Sequence, residues 1–186
     1  MTIFLTADTH INHPFAAKLR GMKLDEMNEL IINNWNNQVQ KSSNSVIYHL
    51  GDFAFGKNDE VRKIRNRLKG KIFLILGNHD YKNNIQRLTD CFTDIRDLYT
   101  LNYMKQKIIL CHYCMNTYDS SHYDSYHCFG HSHCSYNPSG KRMDVGVDGH
   151  DFKLWEIDEI LEIMKNKPHN DNYINPQQRL RDRSEG

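Results

Sequence analysis

The sequence predicts an α/β domain built on a parallel sheet, and three observations carry that reading. Three strand–helix units follow one another in the first half of the chain. Their strands, near residues 2–7, 46–50 and 72–76, are continuous apolar runs of the kind buried on both faces. Each run stops abruptly in polar groups: Asp8-Thr9-His10, Gly51-Asp52 and Gly77-Asn78-His79-Asp80. In such a sheet, ligands gather outside the C-terminal ends of the strands.

The elements follow in order. After His13-Pro14, Met27, Leu30, Ile31, Trp35 and Val39 recur at helical spacing and predict an amphipathic helix over 25–39. An Asn- and Ser-rich turn leads to the second strand. Asn58 is a suitable N-cap, with Asp59 and Glu60 in the first turn and Val61, Ile64 and Leu68 as the apolar stripe. Arg62, Lys63, Arg65, Arg67 and Lys69 cover the rest of that helix; with no aromatic residues between them they read as a solvated face. After the third strand a short helix is expected near 84–88. The pattern then changes: residues 95–103 and 107–111 read as a hairpin, with His112 just past it. A Tyr- and Ser-rich stretch, 113–126, has no clear period. Cys128-Phe129-Gly130 runs into His131-Ser132-His133, and 143–147 and 152–155 are further short strands. Asp158 can cap a last helix carrying Ile160, Leu161 and Met164. The expected domain is 1–165, and the polar residues 166–186 are expected to form a flexible tail.

Composition narrows the function. Lys and Arg total 24 against 23 for Asp and Glu, so net charge favours neither nucleic acid nor membrane. Five cysteines without a framework spacing point to a reducing, cytoplasmic setting, the host cytoplasm if the chain is phage-encoded. Neither a signal peptide nor a membrane helix is expected. Histidine is the outlier, with eleven residues.

Several of those histidines fall where strands end. Separate strand ends deliver Asp8 and His10, then Asp52, then Asn78 and His79, and finally His131 and His133; His112 adds a fifth point. A set of Asp, His and Asn without thiolate suits Mn, Fe, Zn or Ni, with manganese favoured, and it is large enough for two ions. A carboxylate shared between two cations would hold them about 3.5–4 Å apart, as in phosphoryl-transfer centres.

In order and separation, Asp8-x-His10, Gly51-Asp52, Gly77-Asn78-His79-Asp80, His112 and Gly130-His131-x-His133 resemble the calcineurin-like metallophosphoesterase superfamily. The resemblance is to its short single-domain bacterial and phage members. It implies a four-layer αββα sandwich, two mixed sheets flanked by helices. It implies that Asp8, His10 and His133 hold one metal ion, that Asn78, His112 and His131 complete a second, and that Asp52 bridges them. His79 would be general acid and phosphate contact, and Asp80 would orient its imidazole. A hydroxide between the ions would attack phosphorus in line. Only eighteen residues separate His112 from His131, so no cap is inserted and no arms for duplex nucleic acid are present. A small phosphoester, of phosphodiester or nucleotide type, is the expected partner. A phosphomonoesterase, a protein phosphatase and a metal-binding scaffold without activity are the alternatives.

Other residues carry two readings. His13 is either a substrate contact three residues beyond His10 or an exposed loop residue before Pro14. His49 reads as a structural histidine within its strand. The tyrosines at 113, 118, 123 and 126 either stack a base over the site or pack their loop. Cys111-x-x-Cys114 with Cys128 and Cys134 lacks the second tight pair that a structural zinc site uses.

Overall fold

A computed structural model of the chain describes residues 1–40 and 44–175. β1 (Ile3–Thr6) leads through a short helix, α1 (Pro14–Leu19), into α2 (Leu24–Val39). β2 (Val46–His49) precedes α3 (Asn58–Arg67), and β3 (Lys71–Ile75) precedes α4 (Asn78–Lys82). The remaining elements are β4 (Asp94–Arg96), β5 (Leu98–Tyr103), β6 (Gln106–Cys111), β7 (Tyr126–Phe129), β8 (Arg142–Asp144), β9 (Trp155–Glu156) and α5 (Ile157–Asn166).

These strands form two mixed sheets flanked by helices. The first has the order β4-β3-β2-β1-β9, with β1 to β4 parallel and β9 antiparallel to β1. The second has the order β5-β6-β7-β8, with an antiparallel β5–β6 pair and parallel β6, β7 and β8. Strand alternation divides the apolar side chains between two cores. Phe4, Ile47, Ile72 and Leu74 face Met27, Ile31, Trp35 and Val61 of the helices. Ile3, Leu5, Tyr48 and Ile75 face Ile108, Leu110, Cys128 and Met143 of the other sheet, with Ile160 and Met164 of α5 in the same cluster. Because both faces of β1 to β3 are covered, these strands lack the polar alternation of a half-exposed sheet.

Several elements differ from expectation. The stretch expected as one strand over 95–103 is two: β4 pairs with β3, and after Asp97 the chain enters the second sheet as β5. Ile95 packs in one core and Leu101 in the other, a division that a continuous period-2 pattern does not reveal. The helix expected near 84–88 instead begins immediately after Gly77 as α4, and only a 3-10 turn follows at Ile85–Arg87. Asn78, His79 and Asp80 are therefore its first turn. Helix α3 starts at Asn58, so Lys57 is its cap residue, and the Glu60 carboxylate accepts the Lys57 N–H at 2.7 Å. Asp158 lies in the first turn of α5, after the cap residue Glu156.

Residues 166–175, expected within the flexible tail, are bound to the fold; 176–186 lie outside the described residues. The Asn170 side chain is buried. Its Oδ1 accepts from Lys141 N and Tyr118 OH, and its Nδ2 donates to the carbonyls of Ser121 and Ser125. Lys141 Nζ donates to the carbonyls of Met164, Lys165 and Lys167, closing the C-terminal end of α5. Polar side chains with no apolar period do this work, so hydropathy could not announce it. Asn170→Ala should lower stability by about 1–3 kcal/mol, because it strands buried donors and acceptors. In thermal denaturation that is a melting temperature lower by roughly 2–4 °C for each kcal/mol; an unchanged melting temperature would mean this segment contributes nothing to the fold.

Candidate metal centre and active site

The parallel strands of both sheets end at one edge, and the residues just beyond them meet there. Backbone hydrogen bonds fix the ends to each other: Asp8 N to Gly51 O, His10 N to Asp52 O, Gly130 N to His112 O and Val147 N to Ala7 O. Room is short. A Cβ on Gly51, which has φ +91°, would lie 2.5 Å from the His112 ring; one on Gly77 would lie 2.3 Å from the Asp52 carboxylate. Glycine before each polar group is thus a requirement of close approach.

Five of the gathered side chains stand on left-handed backbone: Asp8, His10, Asp52, His131 and His133, with φ between 48° and 69°. Non-glycine residues there cost on the order of 1–3 kcal/mol each unless the surroundings hold them. Here the turns aim successive side chains into one space.

Ligand atoms of Asp8, His10 and His133 converge, as do those of Asp8, Asp52 and His112, each set within 4.8 Å. Asp8 is common to both. Asp52 Oδ2 lies between them, 3.6 Å from His10 Nε2 and 3.7 Å from His112 Nε2. Tautomers follow from the partners on the far side of each ring. His112 Nδ1 donates to Leu50 O at 2.7 Å, so its Nε2 lone pair faces Asn78 Oδ1 at 3.2 Å. His133 Nδ1 donates to Asp148 Oδ2 at 2.8 Å, so its Nε2 lone pair faces His10 Nε2 at 3.3 Å. Asp8 Oδ1 is buried with no hydrogen-bond partner.

The His112 Nε2 lone pair facing Asn78 Oδ1, together with an unpaired buried carboxylate oxygen on Asp8, fits bound cations. Electrostatics agrees. Burial, then the neighbouring Asp144 and Asp52, pushes the Asp8 carboxyl well above the usual carboxylate range, a crowding that a cation relieves. Burial, then His133, holds His10 down to about 2, and burial lowers His112 as well. Both are thereby neutral imidazoles, the form that coordinates. No cysteine belongs to either converging set among the described residues.

The other expected residues fall as follows. His131 donates its backbone N–H to Asp8 Oδ2, and its ring lies 5.1 Å from that of His112, outside both converging sets. His79 donates its backbone N–H to Asp52 Oδ1, and its Nε2 is 3.9 Å from Asp52 Oδ2. His13 stacks on Phe55 at 3.6 Å, with His10 and His79 at 5.3 and 5.6 Å. Of the four loop tyrosines, Tyr113 sets its ring 5.0 Å from those of His112 and His131; Tyr118 packs on His127, Tyr123 on His122, and Tyr126 lies in the second core. His49 is buried, with Nε2 2.8 Å from Thr9 Oγ1.

Asp80 requires a correction. Its carboxylate accepts the N–H groups of Asp52, Phe53 and Gly77 at 2.8–2.9 Å, rather than a proton of His79. At the third position of α4 it points back beneath the strand ends, whereas the His79 ring turns outward. It braces the loop that carries Asp52.

Sequence reasoning missed Arg20 and Asp148. Arg20 forms a two-pronged ion pair with Asp148 and donates to the carbonyls of Asp8 and Thr9. Asp148 in turn holds His133. Neither residue adjoins a motif, so only an Arg and an Asp of 128-residue separation meeting in space reveals them. Two outcomes follow. Asp80→Asn should destabilise the fold by about 1.5–3 kcal/mol, read by denaturant unfolding, since charge-assisted bonds to three N–H groups are lost. If the converging groups bind a divalent cation, with manganese as the probe, Asp148→Asn should weaken that binding about 10- to 100-fold in calorimetry while the fold persists; equal affinity would show that His133 needs no support.

A family model for the calcineurin-like phosphoesterase superfamily domain matches residues 1–146. An uncharacterized protein of Methanocaldococcus jannaschii is 29% identical over 175 residues, covering 88% of this chain and 91% of the relative. A crystal structure of a protein of unknown function from Aquifex aeolicus is 23% identical with a TM-score of 0.67, over 87% of this chain and 98% of the other. A novel archaeal phosphodiesterase, 16% identical, has a TM-score of 0.50 over 84% of this chain and 99% of its own. These two structures share the fold. With most of its length matched, and with the strand-end residues gathered at one edge, the chain belongs to the calcineurin-like phosphoesterase superfamily.

Proposed function

We propose that the protein is a metal-dependent phosphoesterase hydrolysing small phosphoesters, with phosphodiesters or nucleotides as its preferred class. The observation that carries this reading is the His112 Nε2 lone pair set against Asn78 Oδ1 beside the unpartnered buried oxygen of Asp8. Asp8, His10 and His133 would hold one divalent ion and Asn78, His112 and His131 a second, with Asp52 shared; manganese suits this set of oxygen and imidazole donors. Such ions acidify bound water and neutralise phosphoryl oxygens.

The chain's own groups do the rest. His79, with Nε2 3.9 Å from Asp52 Oδ2 and its side chain 29% exposed, opens on the cleft beside the proposed ions. It would give a proton to the leaving oxygen. His13 would contact the phosphoryl group from the wall formed with Phe55. Asp80 acts through the backbone that holds Asp52. Among the described residues no helix is long and apolar enough to cross a membrane.

His79→Ala should leave two manganese ions bound per chain but slow hydrolysis of an alkyl phosphodiester by about 10²–10⁴-fold. A nitrophenyl ester should lose much less, because nitrophenolate departs without a proton. Asp52→Asn should impair both esters alike. An equal fall on both esters for His79→Ala would remove its acid role; no metal-dependent hydrolysis on any ester would favour a scaffold.

A further inference from the structure

Beside the centre lies a cleft of about 570 Å³, whose lining includes His10, His79 and His133. Its opposite wall is α1. Phe15 and Leu19 lie four residues apart on that helix, hence on one face, and both line the cleft. They are 61% and 72% exposed, although Ala16 and Ala17 on the same helix are buried. Next to them the His13 ring lies flat on Phe55, 10° from parallel, and Phe15 meets the His13 ring at 6.4 Å. The helix therefore turns Phe15 and Leu19 toward the site and Ala17 toward the core, with Ala16 flooring the cleft between them.

Charge in the cleft is equally selective. Arg20 is its lining guanidinium, and it is engaged by Asp148 and by two carbonyls. No arginine or lysine in that lining is left to receive a second phosphate. The volume suits a small ligand, and a mostly apolar wall beside a few polar groups is how such ligands are bound.

We infer that α1 forms a subsite for a planar aromatic group carried on the alcohol or phenol esterified to the reacting phosphate, with Phe15 and Leu19 as its specificity-determining residues. This rests on the phosphoesterase reading and adds to it the class of substituent selected. A nucleobase and a simple aryl ring share the chemistry: a flat π-face stacks on aromatic side chains, an interaction worth roughly tenfold or more in affinity.

The experiment compares adenosine 5′-monophosphate, phenyl phosphate and ribose 5-phosphate binding to the manganese-loaded full chain by calorimetry. The phosphate is common to all three, so differences report the substituent. Adenosine monophosphate, phenyl phosphate or both should bind at least about tenfold tighter than ribose 5-phosphate. That preference should collapse in Phe15→Ala/Leu19→Ala, whose altered side chains lie outside the core and should leave the melting temperature near that of the parent. Preference for the nucleotide alone assigns the subsite to a nucleobase; preference for both assigns it to aromatic rings at large. Equal affinity for all three ligands, binding of none, or a preference that survives the double substitution would overturn the proposal. Hydrolysis of bis(p-nitrophenyl) phosphate is measured separately: no turnover with the preference intact would sink the phosphoesterase reading and leave the subsite standing.

Discussion

The Asp80 carboxylate is the fastening on which the site depends. Three N–H groups from two different strand ends, those of Asp52, Phe53 and Gly77, converge on its two oxygens. Burial pushes its carboxyl up to about 7, and those N–H groups oppose the shift. Without that anion the turns after β2 and β3 would leave buried donors unpaired, a larger penalty than losing an exposed contact. Asp52 would also lose its fixed position between His10 and His112. One buried carboxylate thus governs the spacing of the others.

Around that fastening the chain accepts local strain to concentrate charge. The left-handed turns at Asp8, His10, Asp52, His131 and His133 direct side chains from different loops inward. The resulting cluster is self-repelling: Asp8 faces Asp144 and Asp52. Neighbouring groups absorb what they can. Ser132 Oγ and the backbone N–H groups of Cys134 and Gly146 donate to Asp144, and the His131 N–H donates to one Asp8 oxygen. The other Asp8 oxygen is buried with no hydrogen-bond partner, a position that suits a cation. Arg20 then ties α1 to this edge, so the helix that bears Phe15 and Leu19 is held by the same network that orients His133. Site and cleft wall are mechanically one unit.

The sequence alone was informative wherever chemistry and chain order coincide. Apolar runs ending in Asp-x-His, Gly-Asp and Gly-Asn-His-Asp identify the parallel sheet and its functional edge, because strands buried on both faces have no other reason to end so. The change of pattern after β3 agrees with the second sheet, which only the family resemblance implied. The passage from β4 to β5 was not legible, since one alternating stretch serves two cores. Helix α1 was not legible either: six residues give too little period.

Tertiary structure alone decided what each polar group faces. Asp80 adjoins His79 in sequence, yet the first turn of a helix sends their side chains in different directions, and its partners are backbone N–H groups. His133 acquires its carboxylate from Asp148 and, through it, Arg20, all three far apart in the chain or on different loops. Asn170 is anchored by groups from two other segments, the loop before β7 and the residue before β8, despite sitting in a polar stretch. The physical reason is common to these cases. Residue type and spacing along a strand record burial and possible chemistry, whereas hydrogen-bond partners and ligand convergence depend on how separate strand ends meet.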